Sequence, residues 1–530
     1  MKRRSPQFKF VILALVILAP IVFVLFWQAK DKAAVRKYRA KLSAAGEPLT
    51  LNQVLAKTVR PESNGTFMAQ QALRLFRSSG SSLLDTNEPR AMRMVAPGKA
   101  MLGWNQSAVR DQVTNSWEEV FAALAQQCPP PEWIDQIIET PVLDFQLDYG
   151  LGADMLLPHL APLKYSTRLL SIGTVCDLHR GDPDEAVTKI RAILATAQAM
   201  RDEPLIISQL VRIAITHIGV AATWELLQFP DLTESQLASL QADWARLNFL
   251  QPCESALLME RAIGQQVLER MRSSSSEFRR VASGWGTVPG TAPAGDWLET
   301  AGKFALEKTK EAAWTYAWSY PDELRSLKGH EVLLDSVRLL KSGHPYFETL
   351  QQEVEGLTKL GIEPRKDDEE KMLFDLGDLD VRNLMSGSIL SLQRTLARVE
   401  AAEISRSLTV TAIALKRYQL LHGKPPPELA ALVPGYVPSV PIDPVDGKPL
   451  RYRLNSDVNF VLYSIGADGI DNGGDPTNPE STPGAKSSFS WQRGRDWVWP
   501  QPATDAEIDA YFQKQYPQSK AAYGQGVLRK

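Results

Sequence analysis

The sequence predicts a mainly α-helical protein with an irregular α-solenoid-like body, a small C-terminal α+β module and one N-terminal transmembrane helix. Three observations carry this prediction. Residues 10–27 are apolar and carry no charge. Apolar residues recur at helical spacing from about residue 30 to residue 272. Two short runs typical of β-strands follow a proline-rich segment that begins after residue 423.

Length, charge and cysteine content limit the function classes. A chain of 530 residues is long enough for two or three domains, each with its own core. The formal net charge of −2 is not that of a basic nucleic-acid-binding protein, so we expect no nucleic-acid partner. The three cysteines, Cys128, Cys176 and Cys253, lie far apart without metal-type spacing, and we interpret them as buried free thiols.

Residues 1–9 are a short basic segment, and residues 10–27 are predicted to be a transmembrane anchor that contacts the lipid bilayer from Phe10 to Trp27. The run is long enough to cross a bilayer, and Trp27 suits the membrane interface. A cleaved signal peptide would need small residues where bulky Trp27 stands, so we expect an uncleaved signal anchor. Basic residues flank the run on both sides, so charge alone does not choose an orientation.

Residues 30–272 are predicted to form the helical, solenoid-like domain. Gly181 suits a helix C-terminus, and Asp182 followed by Pro183 suits the start of the next helix. The segment 204–228 is apolar on most sides, which predicts a buried central helix. A repeat of about 34 residues is not evident, so the solenoid is irregular. The predicted helices cover residues 117–127, 156–178, 184–200, 204–228 and 233–247.

A polar stripe lies on the predicted central helix, where Gln209, Arg212 and Thr216 follow one another at i, i+3 and i+7. One interpretation is a ligand groove in which Arg212 binds an anion. The other pairs Arg212 with a carboxylate or with carbonyl groups at the end of a neighbouring helix. Buried polar groups are nearly always satisfied inside the protein, which favours the second interpretation. Because no hydrolase, phosphate-loop or zinc motif is present, we assign no catalytic residue and expect no enzyme.

Three further segments complete the body. Residues 273–296 are rich in Ser, Gly and Pro and are predicted to be a linker. Residues 297–387 continue the helical region, and their aromatic stripe from Trp297 to Tyr320 suits either a membrane-surface or carbohydrate platform or, as we favour, core packing. Residues 501–530 are predicted to be a polar tail, with fraying from Tyr511 onward.

Residues 388–500 are predicted to form the C-terminal module. A helix ends at Gly423, because glycine tolerates the positive φ of a helix C-cap and prolines follow at once. A short amphipathic turn with Leu429 and Leu432 leads into a stiff proline-rich loop, which we expect to pack on the preceding helix. Two strands follow at residues 450–454 and 459–464, and then a loop rich in Asp, Asn and Gly.

This module resembles the globular domain of the major pseudopilin of type II secretion systems. The similarity rests on the ordered motifs ALKRYQLLHGKPPPELAALVPGYVPSVPIDPVDGKPLRY and LYSIGADGIDNGGD, and it covers residues 396–500. The whole chain also resembles a group of large, uncharacterised bacterial membrane-anchored helical proteins that carry this module. The anchor departs from the pseudopilin pattern, since it has no acidic residue inside the span and no glycine just before it. We therefore expect neither prepilin processing nor assembly into a fibre.

The resemblance implies a calcium ion in the loop after the second strand. The acidic positions of the family match Asp468, Asp471 and Asp475, and Asp496 on the returning segment would close the site from the other side. Hard cations such as calcium prefer six to eight oxygen ligands. Three carboxylates within eight residues would also repel one another without a cation among them. The alternative is an ordinary loop in which each Asp accepts a local backbone N–H.

Two functional hypotheses follow. The first is a non-enzymatic scaffold or interaction protein of the bacterial envelope, with envelope or secretion-system proteins as partners and a link to secretion or surface assembly. The second is an envelope hydrolase whose site is not recognisable from sequence. The absence of a nucleophile, base or metal constellation favours the first. The resemblance implies a single-pass protein of the bacterial inner membrane, with most of the chain in the periplasm.

Overall fold

The mainly α-helical prediction is confirmed by the computed structural model, which is dominated by helices and has few strands. The structure describes residues 6–57, 65–75, 88–111, 114–282, 308–363, 381–455, 459–478, 492 and 494–516, with side chains from residue 22 onward. The helices are α1 (Pro6–Ala44), α2 (Leu51–Lys57), α3 (Gly65–Leu75), α4 (Trp117–Ala125), α5 (Pro131–Glu139), α6 (Leu160–Arg180), α7 (Pro183–Ala199), α8 (Ile206–Leu227), α9 (Glu234–Arg246), α10 (Leu250–Ser273), α11 (Ser275–Ala282), α12 (Ser319–Lys341), α13 (Tyr346–Lys359), α14 (Ile389–His422) and α15 (Asp505–Gln515).

Among the described residues, short strands form three small sheets. In the first, β1 and β2 pair antiparallel, and β8 joins β2 in parallel. The second is the β3–β4 pair, and the third has the antiparallel order β5-β6-β7. The strands are β1 (Arg93–Ala96), β2 (Lys99–Met101), β3 (Val109–Arg110), β4 (Thr114–Asn115), β5 (Arg451–Leu454), β6 (Phe460–Ser464), β7 (Trp497–Val498) and β8 (Gln501–Pro502).

The central helix of the body is α8, as the sequence predicts. It packs against α6, α7 and α14, and most of its residues are buried. In the part of the chain that the structure describes, α8 is also the one helix long and apolar enough to cross a bilayer. Since 61% of its apolar window is buried inside the fold, α8 has the character of a core helix. The predicted anchor falls within α1, but the side chains of residues 6–21 lie outside the description, so the anchor stays a prediction.

The turn between α6 and α7 follows the predicted capping residues. Gly181 ends α6 in the left-handed conformation with φ of 79°. Asp182 precedes α7, and its side chain accepts the Glu185 N–H at 3.1 Å, with Pro183 at the first helical position. A β-carbon is disfavoured at positive φ, and proline suits a position whose N–H has no partner inside the helix. Local chemistry therefore sets this antiparallel helix pair.

The first half of the C-terminal module also matches its prediction. Helix α14 ends at Gly423 with φ of 73°, and a short 3-10 helix follows at Leu429–Leu432. Leu432 is fully buried, and the Tyr436 ring lies 5.7 Å from the Tyr418 ring of α14. The proline-rich loop is therefore folded back on α14. The same helix packs against α8 and α9, so the module is joined to the body through a shared helix.

The segment assigned to a polar tail contributes regular structure at its start. Strand β8 pairs with β2, and Thr504 then caps α15 by a capping box with Glu507. Ile508 and Phe512 of α15 are buried in a small cluster with β1 and β2. The structure differs from the expected fraying at residues 511–515 because these apolar side chains dock on a sheet far away in sequence.

The aromatic stripe divides between the two interpretations that its sequence allows. Trp314 is fully buried, and its ring lies 5.4 Å from that of Phe278 on α11. Tyr316 is 53% exposed and belongs to a π-helical turn, Trp314–Trp318, that leads into α12. Trp297 and Phe304 lie outside the described residues. The stripe therefore supplies core packing at Trp314 and an outward-facing ring at Tyr316.

The packing of the proline-rich loop yields a stability prediction. Leu432→Ala removes a fully buried side chain and should lower the free energy of unfolding by roughly 2–5 kcal/mol. The measurement is the thermal or denaturant midpoint of the full chain in detergent. Leu421→Ala in the last turn of α14 is the control, because Leu421 is 76% exposed and its loss should change little. Equal midpoints for the two variants would contradict the packing.

Candidate functional site

The predicted calcium loop lies between β6 and β7 and consists of residues 466–478, here called the acidic loop. It begins at Gly466, which has φ of 72°. A β-carbon at this position would lie 2.6 Å from the carbonyl oxygen of Arg495, on the segment that returns to β7. Glycine is therefore required both for the backbone angle and for the close approach. This contact brings the acidic loop against the segment that carries Asp496.

Asp496 lies outside the acidic loop in sequence, but its buried carboxylate binds the backbone of the loop. One of its carboxylate oxygens accepts the N–H groups of Gly474 and Asp475 at 2.7 and 3.1 Å, and the other accepts that of Asn472 at 3.3 Å. Its own N–H donates to the Asp475 carbonyl at 2.9 Å. Burial raises the pKa of Asp496, and the three backbone donors oppose that rise. The structure therefore brings Asp496 to the acidic loop, as predicted, and there it binds backbone N–H groups.

The other three predicted ligands bond within or beside the loop. Asp468 is exposed and accepts the Ile470 N–H at 3.0 Å. Asp475 accepts both the N–H and the hydroxyl of Thr477 at 2.9 and 2.8 Å, and these bonds lower its pKa. Asp471 accepts the Gly473 N–H at 2.9 Å. Each carboxylate thus makes the local turn contact that the sequence leaves open as the alternative to metal binding.

A cation does lie among the carboxylates, and it is the guanidinium group of Arg451 on β5. It contacts Asp446 at 2.6 Å, Asp443 at 3.2 Å and Asp471 at 3.4 Å. A second arginine, Arg495, lies 3.8 Å from Asp475. The ion pairs with Arg451 help to lower the pKa of both Asp446 and Asp471, although burial acts in the opposite direction. The repulsion among the loop carboxylates, which on sequence alone favours a bound cation, is therefore relieved in part by arginine.

A second fully buried carboxylate of this region is Asp443, which sequence reasoning missed. Its oxygens accept the Ser464 hydroxyl, the Ile465 N–H and the Val445 N–H at 2.8–3.1 Å. Asp443 thereby ties the proline-rich loop to the end of β6. The sequence signal available was an acidic residue between Pro441 and Pro444, a place where a side chain is held rigidly. Its partners, however, are distant in sequence.

These contacts define what the acidic loop can do chemically. Within the described ranges, no group of three or more His, Cys, Asp or Glu side chains is arranged to hold a metal ion. Asp468 and Asp471 are exposed at the loop surface, and their carboxylates are the ones most open to an added cation. Calcium would compete with Arg451 for Asp471. The calcium site with Asp468, Asp471, Asp475 and Asp496 therefore stays a prediction.

The polar stripe on α8 follows the second interpretation, in which Arg212 bonds to carbonyl groups at the ends of neighbouring helices. Arg212 is fully buried and donates to the carbonyl oxygens of Ala197 at 2.7 Å and Asn248 at 2.8 Å. Burial lowers its pKa to about 10. Gln209 donates to three carbonyls in the segment just after α7, and the Thr216 hydroxyl donates to the Arg212 carbonyl. The stripe thus caps neighbouring helices rather than facing a groove.

One constellation resembles a hydrolytic triad by composition alone. His159 is fully buried, and its Nε2 lies 3.0 Å from a Glu203 oxygen. The Ser208 hydroxyl donates to the same carboxylate. In a catalytic arrangement the hydroxyl must bond to the imidazole that takes its proton. Here Glu203 stands between serine and histidine, so the three residues act as a structural bridge between α8 and the start of α6.

Buried carboxylates with raised pKa values mark the interior of the body. Glu225 on α8 accepts the N–H groups of Met92 and Gly103 at 2.9 Å, and burial raises its pKa to about 7. Glu400 on α14 has its pKa raised to about 8 by burial and by the charge of Asp443. Perturbed groups of this kind occur both at functional sites and in structural networks. Glu225 belongs to the second class, because it holds the β1–β2 segment on α8.

Comparison with known proteins adds no relative to these observations. No family model matches the chain, and neither a curated protein nor a solved structure is significantly similar to it. The resemblance to the pseudopilin family therefore rests on the motifs of residues 396–500 alone.

Calcium binding can be tested on the full chain in detergent. We expect millimolar calcium to raise the melting temperature, because extracellular-type sites bind with Kd on the order of 10⁻⁴–10⁻³ M. At ten times Kd the stabilisation would be about 1.4 kcal/mol. Asp468→Ala combined with Asp475→Ala should abolish the rise. The control is Asp335→Ala with Asp509→Ala, which removes two exposed carboxylates elsewhere. An unmutated protein with no calcium-dependent shift would mark the loop as an ordinary turn.

The raised pKa of Glu400 predicts a pH dependence of stability. The native state holds the Glu400 proton up to about pH 8, whereas the unfolded chain releases it near the ordinary value of 4.5. The contribution of Glu400 to stability is therefore fully present below pH 4.5, falls as the pH rises from 4.5 towards 8, and is lost once the pH has passed through 8. Between pH 5 and pH 8 this loss is at most about 4 kcal/mol.

Glu400→Gln should flatten this profile, because glutamine is neutral in both states. We expect the variant to match the unmutated chain at pH 5 and to be the more stable protein at pH 8, by equilibrium unfolding in detergent. Glu355→Gln on α13 is the control, since that side chain is 71% exposed. Parallel profiles for all three proteins would show that Glu400 is not responsible.

Proposed function

We propose that this chain is a membrane-anchored protein of the bacterial envelope that acts as a non-enzymatic scaffold. Helix α1 anchors it in the inner membrane, the helical body stands on the periplasmic side, and the C-terminal module is presented to an envelope or secretion-system protein. The observation that carries this proposal is that α1 continues without a break from the predicted span into the body. The predicted span and the first helical contacts of the body thus lie on one continuous helix.

The second half of α1 is locked to the body by buried charge. Glu323 of α12 has a side chain that is 1% exposed, and it contacts Arg39 of α1 at 2.5 Å and Arg272 of α10 at 2.6 Å. Removing one partner of a buried ion pair commonly costs 3–5 kcal/mol, since the remaining charge is left uncompensated. Val35 and Leu42 of α1 are buried beside this contact. These contacts support the proposal that α1 is firmly packed against the body.

The described end of the predicted span has a lipid-compatible surface. Val22, Phe23 and Phe26 are 62%, 61% and 67% exposed, although each is large and apolar. A cluster of exposed large apolar side chains marks a membrane or protein contact. Trp27 follows at 43% exposed, with the Lys30 ammonium group 4.4 Å from its ring centre. This order, apolar then aromatic then basic, is the order of a membrane interface.

The C-terminal module is held to the body at several points, which suits a display function. The indole N–H of Trp224 on α8 donates to the Pro500 carbonyl at 2.8 Å, and Gln241 of α9 donates to the Tyr436 carbonyl at 2.8 Å. Both donors come from the body and both acceptors from the module. A partner that binds the module would therefore be held at a fixed distance from the bilayer.

The alternative proposal, an envelope hydrolase, draws on the buried carboxylates. Burial raises the pKa of Glu353 to about 7 and that of Glu400 to about 8, in the range of a general acid or base. The scaffold is favoured, because Glu353 and Glu400 are both buried away from solvent and substrate.

The scaffold proposal predicts stable membrane association with an intact N-terminus. The full chain should remain in membranes after an alkaline carbonate wash, and mass spectrometry should find residues 1–30 in the mature protein. Phe23→Lys with Phe26→Lys places two charges on the apolar surface and should release the protein. Recovery of secretion-system or surface-layer proteins with the unmutated chain, and not with this variant, would support the scaffold. A mature N-terminus beyond Ala29 would overturn the anchor.

A further inference from the structure

One end of the helical body lies beside the point where α1 leaves the predicted span. Gln28, one residue after the span, donates from its side-chain amide to the Thr315 carbonyl at 3.2 Å. Lys32, one helical turn further, lies 5.8 Å from the centre of the Tyr320 ring. The π-helical turn Trp314–Trp318 is thus at the level of the span's end. We call this turn, together with Tyr320 and α11, the base of the body.

The order of contacts along α1 confirms which end of the body the base is. Proceeding along α1 away from the span, Gln28 contacts residue Thr315 and Tyr38 contacts Glu331. Just beyond α1, Glu47 contacts Arg338 at 2.7 Å. Helix α12 therefore runs parallel to α1. Helix α10 runs the opposite way, and its last turn, with Arg272, ends at the ring of Tyr320. The base is where α12 begins and α10 ends.

The base carries the side chains that suit a lipid interface. Tyr316 is 53% exposed. The guanidinium group of Arg382 lies 5.2 Å from the ring centre of Trp318, which is partly exposed. Aromatic rings are enriched at the level of lipid headgroups, where one end of the ring is apolar and the other is wet. Among the described residues, the exposed basic side chains near this level include Lys30, Lys32, Lys310 and Arg382, and Arg36 and Lys37 follow further along α1.

We propose that the base of the body rests on the bilayer interface, with Tyr316 at the level of the lipid headgroups and the neighbouring lysines on anionic lipid phosphates. This inference deepens the proposed function, because it rests on α1 as a membrane anchor. The occupant of the surface follows from geometry: a bilayer that surrounds α1 up to Trp27 must lie directly beneath Thr315 and Tyr316. The basic residues match the negative surface of a membrane that contains anionic lipids.

This second contact has a consequence for the orientation of the whole protein. One helix alone leaves the body free to tilt about the point where it leaves the membrane. Contacts at both α1 and the base restrict that tilt. They hold α12, which runs parallel to α1, roughly perpendicular to the plane of the membrane. Helix α14 begins near the base, since Ser386 donates to Asp322 of α12 at 2.8 Å. It ends 34 residues later, on the order of 50 Å away.

Depth-dependent fluorescence quenching on the full chain in lipid nanodiscs tests the proposal. An environment-sensitive nitrobenzoxadiazole probe is attached to single cysteines introduced by Phe23→Cys, Tyr316→Cys or Leu421→Cys. The parent carries Cys128→Ser, and the other two native thiols, Cys176 and Cys253, are buried. Lipids brominated near the headgroup end of the acyl chain are the quencher. The labelled parent, without an introduced cysteine, gives the background.

We expect several-fold stronger quenching at positions 23 and 316 than at position 421, which is exposed and at the far end of α14. Quenching at 23 without quenching at 316 would overturn the base contact and leave the anchor intact, and it would mean that Tyr316 faces water or another protein. No quenching at 23 would overturn the anchor and this inference together.

The role of the lysines is tested by lipid charge. The probe at position 316 should emit at shorter wavelength in nanodiscs that contain phosphatidylglycerol than in those made of phosphatidylcholine alone. Lys30→Glu with Lys32→Glu should remove this difference while leaving the quenching at position 23 unchanged. An identical emission in both lipids would exclude the proposed contact of the lysines with anionic headgroups.

Discussion

The ion pairs of Glu323 with Arg39 and Arg272 include the most buried carboxylate among the charged contacts that hold α1 on the body. It joins α1, α10 and α12 at one point. The Glu323 side chain is 1% exposed, and burying its charge is tolerated only while the arginine partners compensate that charge. The first helix therefore cannot leave the body without exposing or stranding a charge, and the position of the predicted span relative to the body is set by this constraint.

Features that depend on neighbours in sequence could be predicted. The caps at Gly181, Asp182 and Gly423, the apolar character of α8 and the strands β5 and β6 all follow from local rules of backbone angle and periodicity. The start of α15 escaped prediction for the opposite reason. Its buried Phe512 packs on β1 and β2, about four hundred residues earlier in the chain, and no local pattern announces such a contact.

The same distinction explains what sequence reasoning missed in the acidic loop. The loop itself, with its glycines and aspartates, is visible in the sequence, and Asp496 is found beside it as expected. The charge balance is not visible, because Arg451 reaches Asp471 from a different strand and Asp443 reaches β6 from the proline-rich loop. Whether aspartates need a metal depends on such long-range partners. Spacing alone could suggest candidate metal ligands, but it could not identify the arginine that pairs with one of them.

Shared elements join the module to the body. Helix α14 contributes to both, and Trp224 and Gln241 bond to the module from the helical core. Glu400 lies on this shared helix, and the charge of Asp443 in the proline-rich loop contributes to its raised pKa. A partner bound at the acidic loop would thus act on elements that continue into the core. Since α14 begins at the base of the body and ends at His422 in the module, one continuous helix joins the module to the end of the body from which α1 extends.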